Sequence, residues 1–106
     1  MGFLSRKNET DSKADSKLVH AKVLTIVNRL GMHARPSAMF VKTAGRFRAE
    51  VWVEKDGEKV NGKSIMGLMM LAAGQGSKLH VTAEGSDADK MLVELEAIVA
   101  RKFDED

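Results

Sequence analysis

The chain has 106 residues, of which 43% are hydrophobic and 30% charged, with a formal net charge of +2. That length supports one domain with one core, and the near balance of charge gives no electrostatic reason to expect nucleic acid as a partner. The absence of cysteine excludes disulfides and thiolate metal sites, and no apolar run approaches the ~18 residues that would span a membrane.

Residues 1–19 hold four basic and three acidic side chains and show no apolar period. They read as a flexible N-terminal extension, with the domain proper over residues 20–106. Lys22 to Val27 is rich in β-branched residues and predicts a strand. Asn28 to Gly31 is a loop. Ala34 to about Arg46 predicts a helix whose apolar stripe is Phe40, Val41, Ala44 and Phe47. Arg48 to Lys55 alternates, with Ala49, Val51 and Val53 on one side and Glu50, Trp52 and Glu54 on the other, the pattern of a sheet with one wet face. Asp56-Gly57 signals a hairpin, and Glu58 to Asn61 is its return strand. Ser64 opens a short apolar helix, Ile65 to Ala73, that Gly74 and Gly76 should stop. Lys78 to Glu84 alternates again, with Leu79, Val81 and Ala83 inward. Ser86-Asp87-Ala88-Asp89 resembles a capping box, and the last helix runs to about Phe103 with Ala88, Met91, Leu92, Leu95, Ile98 and Val99 as its stripe. The order β-α-β-β-α-β-α implies an α+β fold in two layers, a mostly antiparallel sheet with helices packed on one face.

Between the first strand and the first helix stands Gly31-Met32-His33-Ala34-Arg35-Pro36. Proline fixes φ and lacks a donor, so it suits the first turn of a helix. His33 then lies at or just before the helix start, beside backbone N–H groups that have no intrahelical partner and attract anions. Arg35 adds a bidentate clamp suited to phosphate. A lone histidine in such a place is commonly a cap or a solvated loop residue. An imidazole, an anion-binding helix end and an arginine together instead suggest a histidine that carries a phosphoryl group. The three histidines, His20, His33 and His80, lack zinc-ligand spacing, so no metal and no cofactor are expected.

Residues from about Lys22 onward resemble the HPr family, the histidine-containing phosphocarriers of the bacterial phosphotransferase system, and most closely its nitrogen-branch form, NPr. Leu30-Gly31-Met32-His33-Ala34-Arg35-Pro36 is similar to the family's active-site motif. Asn61-Gly62-Lys63-Ser64-Ile65-Met66-Gly67-Leu68-Met69 is similar to its second signature. The acidic ending Phe103-Asp104-Glu105-Asp106 is similar to that of some nitrogen-branch forms. The resemblance implies an open-faced β-sandwich with a four-stranded antiparallel sheet of order 1-4-2-3 and three helices on one face. It also implies that enzyme I passes phosphate to Nδ1 of His33, that Arg35 stabilises it, and that His33 gives it to an IIA-type protein. The helix N-terminus should disfavour imidazolium and keep the ring nucleophilic.

Ser64 has two compatible readings: a helix N-cap, and, by resemblance, a regulatory phosphorylation site for an HPr kinase. Ile65, Met66 and Met69 also have two. Methionines at helical spacing are commonly core, but Met66, Met69 and Met70 cannot all face inward on so short a helix, and by resemblance the exposed ones dock enzyme I and IIA proteins. The reading is of a stoichiometric carrier rather than an enzyme, monomeric and cytoplasmic, with no nucleic acid and no membrane as partners. Two rivals stay open. One is a regulatory HPr-like protein acting mainly through Ser64. The other is a small metabolite-binding α/β module, which leaves His33 and Arg35 unexplained.

Overall fold

The computed structural model describes residues 18–105. Seven elements follow in order: β1 (Val19–Thr25), α1 (Ala34–Ala44), β2 (Glu50–Lys55), β3 (Glu58–Asn61), α2 (Ile65–Met70), β4 (Lys78–Glu84) and α3 (Ala88–Ala100). A tight turn over Lys102–Asp104 comes last. The strands form one antiparallel sheet in the order β1-β4-β2-β3, as the resemblance implies.

Alternation in the strands decides where the core sits. Leu24 of β1, Val51 and Val53 of β2, and Leu79, Val81 and Ala83 of β4 are buried. They meet Phe40 and Ala44 of α1, Leu68 of α2, and Met91, Leu92, Leu95, Ile98 and Val99 of α3 in a single apolar cluster. The period-2 faces of the strands and the 3.6-period stripes of the helices thus share one interior. Glu50 and Glu54 of β2 and His80 of β4 stay exposed on the open face, while Trp52 there is partly covered, with the Lys59 ammonium 5.7 Å from the centre of its ring. At the hairpin, Asp56 and Gly57 both take positive φ (52° and 85°), the requirement of a two-residue primed turn.

Several boundaries differ from the sequence expectation. β1 begins at Val19 and ends at Thr25, because Val19 to Thr25 finds partners on β4 from Glu84 to Lys78. His20, which sequence alone leaves at the edge of the extension, is paired with Ala83 inside that strand. Residues 1–17, where nearly all of the expected extension falls, lie outside the described residues. α1 closes at Ala44, where Arg46 and Phe47 donate to Thr43 and Ala44 in a tightened last turn. α2 closes at Met70, and its exit is made by Ala72 at φ 50° rather than by a glycine. Asp87 is the N-cap of α3 but makes no cap bond. Its carboxylate instead accepts from the backbone N–H groups of Arg48 and Ala49, both at 2.9 Å, and so ties the α3 start to the approach to β2. α3 closes at Ala100, and Phe103 belongs to the turn that follows.

Candidate functional site

The loop that delivers the first helix is held at both ends. Met32 N donates to Ala73 O (2.8 Å), and the Ser37 hydroxyl reaches back to Met32 O (3.1 Å). Gly31 sits at φ 70° with its Cα side against Ala73 O and Gly74. A Cβ there would overlap Ala73 O and lie 2.8 Å from the Gly74 Cα, so only glycine lets the two backbones meet. His33 follows two residues later as the N-cap of α1.

An N-cap side chain ordinarily accepts from the second or third helical N–H. His33 makes no such bond. The third helical position is Pro36, which has no N–H to offer. The ring is thereby left for other partners. It is 37% exposed, and its Nε2 lies 2.9 Å from Oε1 of Glu105. Among the described residues nothing is bonded to Nδ1.

Glu105 is the centre of a small network. Its side chain is 14% exposed. Oε1 accepts from Asn28 Nδ2 at 2.9 Å as well as facing His33, and Oε2 is 3.9 Å from the Arg35 guanidinium. The His33 bond, followed by the Asn28 bond, holds the Glu105 carboxyl below the usual carboxylate range; partial desolvation opposes this, and the charges of a protonated His33 and of Arg35 add to it. An ionised carboxylate only accepts, so in the neutral ring Nε2 bears the proton and Nδ1 the lone pair. Asn28 is fully buried, and its amide orientation follows from two acceptors, Gly31 O at 2.8 Å and Glu105. That leaves Asn28 Oδ1 buried with no partner among the described residues, at a cost on the order of 1–3 kcal/mol.

The chain brings Glu105 here by an unusual route. Lys102, Phe103 and Asp104 all have left-handed φ, 60°, 53° and 60°, each costing about 1–2 kcal/mol for a residue with a Cβ. Phe103, 1% exposed, is driven into the core, a gain of about 1.5–3 kcal/mol. Arg101 bonds Asp104 at 2.9 Å, and Glu105 N donates to Lys102 O at 2.9 Å. Sequence reasoning missed both Asn28 and Glu105. They stand 77 residues apart; Asn28 falls in a loop, and Glu105 enters the sequence analysis only as part of the acidic ending, with no role. One available signal was an apolar residue, Phe103, beyond the last helical stripe, which marks a chain turning back on itself.

Ser64 is the N-cap of α2, and its hydroxyl accepts from Gly67 N at 2.9 Å. The helix is anchored by Leu68, while Ile65, Met66, Met69 and Met70 are exposed by 40%, 73%, 43% and 67%. None of the three methionines on α2 is core. Met69 joins His33, Leu30, Met32, Ala72, Ala73 and Gly74 in lining a shallow cleft. The structure therefore joins His33, Arg35 and Met69 in one neighbourhood, whereas Ser64, Ile65 and Met66 do not line that cleft. His80 is exposed mid-strand on the open sheet face. Among the described residues there is no cluster of three or more metal-ligating side chains, and no helix is long and apolar enough to cross a membrane.

A family model described as the PTS HPr component phosphorylation site matches residues 20–101. The phosphocarrier protein HPr of Neisseria meningitidis serogroup A is 45% identical over 82 residues, covering 77% of this chain and 92% of that protein. The HPr-like protein Crh of Bacillus subtilis is 49% identical over 71 residues, covering 67% and 84%. The crystal structure of HPr from Thermoanaerobacter tengcongensis superposes with a TM-score of 0.79 at 44% identity, covering 82% of this chain and 98% of that one. These relatives carry HPr and Crh names; the nitrogen-branch placement rests on the sequence resemblance alone.

Proposed function

This chain belongs to the HPr family of phosphocarrier proteins, and from that premise we propose that His33 carries the phosphoryl group, on Nδ1. The protein is a stoichiometric carrier in a phosphotransfer relay, not a catalyst. The observation that supports His33 is its place as an N-cap with no capping bond: a half-open ring whose Nε2 is engaged and whose Nδ1 is not. The Nδ1 lone pair attacks phosphorus in line, the N–P bond forms, and the donor keeps the electron pair of the bond that breaks. The first N–H groups of α1 and the Arg35 guanidinium, 65% exposed, supply positive charge to the phosphoryl oxygens. Their exposure keeps that hold moderate, as a carrier that must release phosphate requires.

Enzyme I is the donor in this reading and IIA-type proteins are the acceptors. Ile65, Met66 and Met69 form the docking patch, an adaptable apolar surface next to the cleft of His33. In this reading the carrier works as a monomer. The cytoplasm is the location this reading implies. The function resides in residues 20–106, and residues 1–19 are an extension; a chain starting at Leu18 should accept phosphate at the parental rate, measured by initial phosphorylation. Ser64 is in this reading also a regulatory phosphorylation site for an HPr kinase, a second role supported by the resemblance of Asn61 to Met69 to the family's second signature and by the place of Ser64 at the start of α2.

The deciding experiment incubates the parent and His33→Ala with enzyme I and phosphoenolpyruvate, followed by intact mass spectrometry. The parent should gain acid-labile phosphate and the variant none. Phosphate retained by the variant would reassign the site.

A further inference from the structure

Methionine is concentrated where the fold needs it least. Three of the six residues of α2 are methionines, and Met66, Met69 and Met70 are all exposed. The one buried residue of that helix is Leu68, and leucine would form the helix as well as methionine does. The chain has no cysteine, so no thiol stands ahead of these thioethers as the target of an oxidant. We propose that Met66, Met69 and Met70 are sites of reversible oxidation by a peroxide, and that their sulfoxides separate His33 from its phosphoryl donor by spoiling the docking surface. The inference rests on the reading of α2 as a docking patch and adds a control that acts on that patch.

The placement of sulfur divides by role. Met66 and Met70 stand one turn apart and Met69 three residues from Met66, so the three side chains share one flank of α2. Met69 also lines the cleft of His33, together with the exposed Leu30. The other methionines among the described residues are protected. Met32 borders the same cleft but is buried, Met91 is fully buried in the core, and Met39 packs half-buried against it. An oxidant in solution therefore meets the sulfur that faces a partner before the sulfur that holds the fold.

The peroxide supplies everything the step needs. A thioether lone pair attacks one peroxide oxygen and the S–O bond forms. The O–O bond breaks, its electron pair goes to the departing oxygen, and proton transfer releases water. Sulfur loses two electrons and the peroxide gains them. A reductase with two thiols reverses the change: the thioether returns, the oxygen leaves as water, and the thiols close to a disulfide. Each oxidation turns a flexible apolar side chain into a polar, chiral one. A partner that covers the patch must then strip water from each S=O group without returning a hydrogen bond. The fold is spared, because only Leu68 of this helix reaches the core.

The test treats the full chain alone with hydrogen peroxide, removes the oxidant and follows peptide masses. Oxygen should enter Met66 and Met70 first, Met69 next, and Met32 and Met91 last; Met1, outside the described residues, is followed on its own peptide. With enzyme I and phosphoenolpyruvate, the chain oxidised on α2 should need about tenfold more carrier for half-maximal phosphorylation, with the maximal rate and the melting temperature unchanged. Methionine sulfoxide reductases for both epimers should restore the parental value. The variant Met66→Leu/Met69→Leu/Met70→Leu is judged by its own treated-to-untreated ratio, which peroxide should not move. Parental half-saturation in the oxidised chain would overturn the proposal, as would an equal loss in the treated leucine variant, a loss that the reductases do not reverse, or oxygen entering Met32 or Met91 before α2. Met66→Glu charges the same patch without oxidation and separates the two readings. A raised half-saturation there beside a peroxide-insensitive parent overturns this proposal alone; a parental value there overturns the docking patch and this proposal with it.

Discussion

Two helices of this fold begin alike and use their first side chain differently. Ser64 starts α2 and gives its hydroxyl to Gly67 N, the third helical donor, so the side chain serves the fold. His33 starts α1 and gives its ring to nothing on the helix. One local difference is plain: the third position of α2 is Gly67, which has an N–H and caps with Ser64, and that of α1 is Pro36, which has none. Proline removes the local partner that would otherwise compete for the cap side chain. The histidine is then free to be held from outside, by Glu105, with Nδ1 bonded to nothing among the described residues.

If that contrast is right, the largest effects fall on transfer at α1 and on stability at α2. His33→Ala should abolish phosphoryl acceptance while the folded state changes by no more than about 0.5 kcal/mol, since no cap is lost. Thermal melting alongside the phosphorylation assay checks both halves; a large drop in melting temperature would mean that the ring is structural after all. Arg35→Ala should come next. Its guanidinium is well exposed and makes only a 3.9 Å approach to Glu105 in this state, so stability should again hold within about 0.5 kcal/mol. Loss of a charge-assisted contact worth about 1.5–3 kcal/mol to the transferring phosphoryl group should slow transfer roughly 10- to 100-fold. Normal transfer kinetics with a lowered melt would reverse the assignment.

The opposite pattern is expected at Ser64. Ser64→Ala removes a real cap and should cost about 1 kcal/mol, yet His33 should accept phosphate at the parental rate. Ser64→Asp retains an acceptor for Gly67 N and should melt near the parent. It should also slow phosphorylation by enzyme I, because a charge now lies beside Ile65, Met66 and Met69, which must be desolvated when a partner docks. A Ser64→Asp protein that is phosphorylated as fast as the parent would leave the serine as a cap only.

Much of this was legible in the sequence, and the limits are physical. Element order, inward faces and the hairpin follow from periodicity and from Asp56-Gly57, because they depend on neighbours two to four residues apart. His33, Arg35 and Ser64 follow from position relative to a helix start, also a local property. Glu105 and Asn28 do not, because the bond between them spans 77 residues and is created by a left-handed turn of three non-glycine residues that no propensity favours. The capping-box reading at Ser86 to Asp89 failed because α3 takes its N-cap one residue later, at Asp87. Asp87 finds two donors of another segment, Arg48 N and Ala49 N, so tertiary contacts override the local cap. The exit of α2 is made by Ala72 rather than Gly74, since the chain there must turn to place Ala73 O on Met32 N.

Asp87 supplies a third helix start, and with Glu105 it gives the smallest expected effect. Both carboxyls are held below the usual carboxylate range. For Asp87 the first cause is the Arg48 N–H bond, with the Ala49 and its own N–H groups and Lys63 adding, and desolvation opposing. For Glu105 the first cause is the His33 bond, then Asn28. A group whose folded value is depressed binds fewer protons in the folded state than in the unfolded one. Its contribution to stability is therefore fully present above the ordinary carboxylate value of about 4, and it is lost as pH falls through the lower folded value. The melting gap between the parent and Asp87→Asn should be steady from about pH 7 to 5 and close as the pH drops below about 4. Glu105→Gln should show the same window with a smaller gap, because its partners are a half-exposed ring and an asparagine rather than two backbone donors leading into a central strand. The sites share no partner, so the two gaps should add in the double variant. A Glu105→Gln gap that persists at pH 2 would mean that packing, not charge, holds the C-terminal turn against His33. A gap that closes on schedule would show that the carboxylate at the reactive ring contributes little to the fold, as the contrast between the capped and uncapped helix starts requires.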